Sequence, residues 1–155
     1  MVRRLKLYTN GELKDTAEGE GRLTVSISGL EPATSYPAGI YQVCFEENGK
    51  ESEKVDSPAF TTKPILVTSV TFTPENLSLV AGDDDVAVAT VTPSTASNSE
   101  VTYTSDHPEI VTVDSEGGDL HAVAPGTATI TATAKDSTHK TAHRKAFVKL
   151  NVLSL

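Results

Sequence analysis

The chain has 155 residues, enough for one large domain or two small ones, and its 37% hydrophobic content without a single Trp predicts small cores and long polar strands. Twenty-one acidic against 13 basic side chains give a net charge of −8, which repels a nucleic-acid phosphate backbone. No apolar run approaches the roughly 20 residues that span a bilayer, and the amino end, MVRRLKLYTNG, carries basic residues without an apolar stretch of signal-peptide length. The expectation is therefore a protein made and kept inside a cell, unless a precursor is trimmed. The lone cysteine, Cys44, excludes an internal disulfide and sits in the apolar run IYQVCF, where a buried and inert thiol is expected.

In chain order, residues 2–8 (VRRLKLY) read as a strand, and Asn10-Gly11 is a two-residue hairpin signal because both central positions need positive φ. ELKDTA returns as a short polar partner, and Gly19 to Gly21 form a loop. RLTVSISGL then predicts an alternating strand with Leu23, Val25 and Ile27 on one face. IYQVCFEENGKESEKV is a strand broken by a turn at Asn48-Gly49, with Tyr41, Val43 and Phe45 inward. DSPAFTTKP closes the module, Pro64 ending the strand pairing.

Leu30, Pro32, Thr34 and Tyr36, followed by a strand, a Gly turn and a closing FTTKP, resemble the second half of a fibronectin type III domain. The resemblance implies a tyrosine corner at Tyr36, with Pro37-Ala38-Gly39 as an inserted turn before the next strand. A complete module of that type has about seven strands in about 90–100 residues, whereas residues 1–64 are all that precede the next module. The first two strands are missing, so Leu5, Leu7, Leu23, Val25 and Ile27 are expected to lack cover and to form a protein interface. At about 25 cal/mol per Å² of apolar area, an open face of several hundred Å² is a large drive to associate. Another chain, another copy, the second domain folding back, or a rearranged sandwich that closes itself could each meet it.

Residues 63–66, KPIL, form a short joint stiffened by Pro64, giving expected domains at 1–64 and 65–155. Beyond it, Val70 and Phe72 alternate, Leu77 and Leu79 form the next segment, and Gly82 begins a turn. Val86, Val88 and Val91 lead to Thr92-Pro93; Val101 and Tyr103 form a central strand; Ile110, Val111 and Val113 lead to a turn at Glu116-Gly117-Gly118. Leu120–Ala134 (LHAVAPGTATITATA) alternates through Ala128, Ile130 and Ala132 directly after Pro125-Gly126, which is a half-buried antiparallel strand. A last strand is expected over residues 146–153. These segments are similar, in order and turn spacing, to the bacterial immunoglobulin-like group 2 family. The expected fold class is all-β: two tandem immunoglobulin-like β-sandwiches, the first incomplete.

The residues offer no foothold for catalysis, and no catalytic, cofactor or metal site is assigned. His139 and His143 lie in the polar run DSTHKTAHRK, and an i, i+4 metal pair needs a helix. Asp83, Asp84 and Asp85 read as a solvated acidic loop, since consecutive acids on a turn diverge. No Gly-x-Ser-x-Gly elbow, phosphate loop or dinucleotide fingerprint is present. The group 2 resemblance implies a bacterial adhesin or a protein of a tailed-bacteriophage virion. With no signal segment in view, the expectation is a non-enzymatic virion protein assembled in the bacterial host cytoplasm. It would decorate head or tail, be anchored through residues 1–64 to shell or tail subunits or to copies of itself, and form a homo-oligomer on the particle. Weak binding to host-surface glycans stays open as a further contact. The alternative is a fragment of a secreted adhesin or a carbohydrate-binding module.

Overall fold

Turn chemistry places the first hairpin. Asn10 and Gly11 take φ of 50° and 80°, joining β1 (Arg3–Thr9) to β2 (Glu12–Gly19). The computed structural model describes residues 2–150, contains no helix among them, and divides the chain into two compact units, Met1–Pro64 and Ile65–Leu155.

The first unit continues with β3 (Ser35–Tyr36), β4 (Tyr41–Glu47), β5 (Lys50–Glu51), β6 (Val55–Asp56) and β7 (Phe60–Thr61). One antiparallel sheet runs β2–β1–β4–β5, with β6 also on β4, while β3 pairs separately with β7. Register sorts the side chains onto two faces, because residues directly opposite share a face. Leu5 lies opposite Ala17 and Phe45, and Leu7 opposite Asp15 and Val43, which in turn faces Val55. Lys6, Tyr8, Cys44 and Glu46 occupy the other face.

Residues 22–30 depart from expectation. RLTVSISGL joins no sheet, although its burial still alternates: Leu23, Val25 and Ile27 are half-buried, and Thr24, Ser26 and Ser28 are exposed. The alternation persists because one side rests on the sheet. Among the described residues, no strand pairs with it. The first unit thus has one main sheet, the short β3–β7 pair and this extended segment.

The second unit holds β8 (Ser69–Phe72), β9 (Asn76–Val80), β10 (Asp84–Val86), β11 (Ala89–Thr92), β12 (Val101–Ser105), β13 (Val111–Val113), β14 (Asp119–Ala122), β15 (Gly126–Ala134) and β16 (Thr141–Lys149). The largest sheet is β12–β15–β16–β9, in which β16 and β9 run parallel; β10–β14–β13 and β11–β8 complete the unit. Its core joins Val67, Val70, Phe72, Tyr103, Val111, Leu120, Ile130 and Val148 with the alanines of β15 and β16. Many core positions are Ala, which lets the layers approach closely but buries little area per residue.

Three expectations are corrected here. Leu120–Ala134 is two strands, β14 and β15, which belong to different sheets, and Pro125-Gly126 is where the chain changes sheet. Val86 and Val88 are exposed, and the residue between them, Ala87, is the buried one. The last strand begins at Thr141, five residues earlier than expected, because its inward positions are Ala142 and Arg144 before Ala146 and Val148; residues 151–153 of the expected strand lie outside the described residues.

Candidate interaction surface

The five residues expected to form an interface divide into two groups. Leu5 and Leu7 are only 9% and 3% exposed, so the first unit covers them itself, which corrects the expectation that they lie open. Ile27 and Leu23 lie on the same side of the sheet. Ile27 lines a cavity with Leu7, Thr9, Lys14 and Tyr41, and Leu23 lies against Gly19, where an added Cβ would meet its Cδ2 at 3.3 Å. The segment therefore rests over β1 and β2.

The uncovered part of that face lies further along the same rows. Phe45 is 42% exposed and Val55 63%, with half-buried Val43 between β1 and β6. Sequence reasoning places Tyr41, Val43 and Phe45 inward, but gives no role to Val55. Its signal was the register: a residue opposite Val43 must share the face of Leu7.

The opposite face of this sheet is saturated with charge pairs. Lys6 bridges Glu46 and Glu51, the latter at 2.8 Å, and Arg4 joins Glu18 (2.8 Å) and Glu46 (3.2 Å). Tyr8 donates its hydroxyl to Glu51 at 2.6 Å, which together with burial pushes its pKa up to about 12. Hydrogen bonds from Lys6 and Tyr8 hold Glu51 below the usual carboxylate range. Lys54 Nζ stacks 3.9 Å from the Tyr8 ring centroid. Beneath this layer Cys44 is buried, and desolvation raises its thiol pKa. Such a face is satisfied by its own residues.

At the end of the unit the tyrosine corner is formed: Glu31 N donates to Tyr36 Oη at 2.9 Å. The Tyr36 ring stacks on Phe60, centroids 5.1 Å apart and planes 15° apart, so one ring face is already occupied.

In the second unit the three consecutive acids serve three separate partners. Asp83 accepts from Val80 N, Asp84 Oδ1 meets His121 Nδ1 at 2.7 Å, and Asp85 accepts from Val86 N. His139 lies in a turn at φ 48°, whereas His143 sits on β16 with Nδ1 2.9 Å from Thr131 Oγ1. Asp136 is a buried structural carboxylate. It accepts from Val67 N at 2.7 Å and from the Thr138 amide and hydroxyl, tying the first residues of the unit to the β15–β16 turn.

Comparison with known proteins places this geometry. A 76-residue stretch, 49% of this chain, is 37% identical to an "Ig-like virion protein" of Serratia phage KSP90, and the match spans 30% of that protein's length. Among solved structures, the chain is similar in fold to surface layer protein SbsC, domains 1–6 (14% identity, TM-score 0.53, 96% of this chain and 28% of that one). It also resembles Drosophila N-cadherin EC1–4 (15% identity, TM-score 0.51, 97% of this chain and 41% of that one). The model of the bacterial Ig-like domain (group 2) matches residues 66–144, which holds β8 to β15 and the start of β16. The chain belongs to the bacterial Ig-like domain (group 2) family.

Proposed function

We propose that this chain is a non-enzymatic structural or accessory protein of a tailed-bacteriophage virion, decorating head or tail. Residues 1–64, a partial fibronectin type III-like module, anchor it to protein subunits of the particle or to further copies, and residues 65–155 display an immunoglobulin-like sandwich outward. Assembly takes place in the cytoplasm of the bacterial host. The observation that carries this reading is the 37% identity to a phage Ig-like virion protein. The division of labour is supported by the two units' different states of closure. The second has a filled core, while the first leaves Phe45 and Val55 open on its inner face. Density-purified virions of a phage encoding this chain, analysed by quantitative mass spectrometry, should contain its peptides at a fixed ratio to the major structural subunit. Their absence, or their presence only in the unassembled lysate, would refute the virion assignment.

A further inference from the structure

We infer that the first unit carries a slot for one extended β-strand donated by a different protein chain, lying between the backbone edge of residues 23–27 and the exposed side chains of β4 and β6. The inference rests on the reading that residues 1–64 attach the chain to a protein, and it names what that protein must present.

The edge comes first. Along residues 22–30 the single hydrogen bond, among the described residues, is donated by Ser26 N to Asp15 Oδ2 at 3.0 Å. In an extended chain, alternate residues direct their N–H and C=O groups to opposite edges. Ser26 therefore marks the edge that faces β2. The other edge carries the amides and carbonyls of Leu23, Val25 and Ile27 and faces the β4 side of the sheet, with no acceptor or donor of its own.

The floor beside that edge is the strip already described, Phe45, Val43 and Val55, with the Arg3 guanidinium 5.4 Å from the Phe45 ring centroid at one end. Sheets pack about 10 Å apart, so a strand paired with the open edge would lay every second side chain onto this strip. Three hydrogen-bond donors and three acceptors above an apolar floor select an alternating strand and nothing else; a helix or a loop would leave them unpaired.

Charge narrows the occupant. Natural sheets guard their edges with charged side chains, and this unit does so elsewhere: β2 carries Glu12, Lys14, Asp15 and Glu18, and β5 is Lys50-Glu51. Residues 23–30, LTVSISGL, carry no charge and no proline. An uncharged wall above a floor that is apolar at Val43 and Val55 and carries Arg3 over Phe45 at one end matches a donor strand with aliphatic inward residues and no charge at its centre. A second copy does not fit. Symmetric antiparallel pairing through Leu23, Val25 and Ile27 puts both inner faces on one side. The copy's β1 and β2 would then occupy the space where β4 and β6 already lie. The donor is thus a strand free of any layer beneath it, such as an extended arm of another protein.

The test uses the full ¹⁵N-labelled chain and a synthetic capped peptide of about nine residues alternating valine and threonine, the length of an ordinary strand. A block peptide of the same composition, valines first and threonines after, serves as control. Amide exchange at Leu23, Val25 and Ile27 should be fast in the free protein and slow by about tenfold or more with the alternating peptide. Val25→Pro removes the central donor, which has no partner among the described residues. Val55→Lys charges the floor at a position already exposed, so it keeps the fold. Each should weaken peptide binding about tenfold, the first by losing a hydrogen bond and the second by placing a charge under the strand. Protection of the three amides in the free monomer, equal binding of the block peptide, no binding of either peptide, or protection that rises with protein concentration alone would each overturn the donor-strand slot. Because this experiment involves no virion, its outcome is separable from that of the mass-spectrometric test.

Discussion

A Cβ on Gly118 would lie 2.5 Å from the Ala87 carbonyl oxygen and 3.1 Å from the Tyr103 ring, at a φ of 75°. The Ala87 amide also donates to Gly118 O at 2.8 Å, so the two strands cannot part without losing that bond. Gly118→Ala should cost at least about 2 kcal/mol, from positive φ and a backbone clash together, read as a lower urea midpoint. Asp136 makes a pH prediction. Hydrogen bonding from Thr138 is the foremost cause that lowers its pKa, ahead of the desolvation that opposes it. A carboxyl depressed in the folded state contributes stability that is fully present above its unfolded value, about 3.9, and is lost as pH falls through the folded value. Asp136→Asn should therefore lower the melting temperature at neutral pH, and it should flatten the acid limb of the stability profile below about pH 4. An acid limb unchanged from the parent protein would show that other carboxylates carry it.

At the scale of the element, β16 alternates outward and inward, and its inward set is Ala142, Arg144, Ala146 and Val148. Arg144 is 5% exposed, its Nε has no hydrogen-bond partner among the described residues, and its guanidinium lies 5.9 Å from the Phe72 ring centroid. A buried cation without a carboxylate is costly, and an apolar residue of similar length relieves the cost. Arg144→Met should be neutral or stabilising, by up to about 3 kcal/mol in denaturant unfolding; a clear loss of stability would mean that the guanidinium is held by contacts beyond the Phe72 ring. The same residue explains why the start of this strand was hidden. In TAHRKAF an arginine stands where the period-two pattern asks for an apolar residue, so the segment reads as a polar loop. Where alanine and isoleucine hold the inward positions, as in β15, the strand was legible down to its faces. Residues 22–30 show the converse case: alternation revealed which side chains turn inward, but pairing depends on a neighbour, and a pattern within one segment carries no information about neighbours.

For the whole molecule, the all-β fold and its reversals were legible because turns, unlike pairings, are written locally: Asn10-Gly11, Asn48-Gly49 and Pro125-Gly126 all fall where chains reverse or change sheet. The candidate surface was legible only in part. Sequence alone assigned the openness to Leu5 and Leu7, which are buried, and not to Phe45 and Val55, which are exposed. Cover is a property of the layer above.

Cys44 gives the first unit a clock. It is the only thiol in the chain, it is buried on β4 beneath Lys6, Tyr8 and Lys54, and burial suppresses its thiolate. A thiol reagent reaches it only when that sheet opens, so the modification rate of one atom counts the openings of one unit while the other stays silent. Under rapid reclosing that rate tracks the equilibrium open fraction. A strand seated over the Phe45 and Val55 face should then slow the modification in step with its occupancy, without any label having been introduced. A rate that ignores denaturant would mean that the thiol is reached without opening.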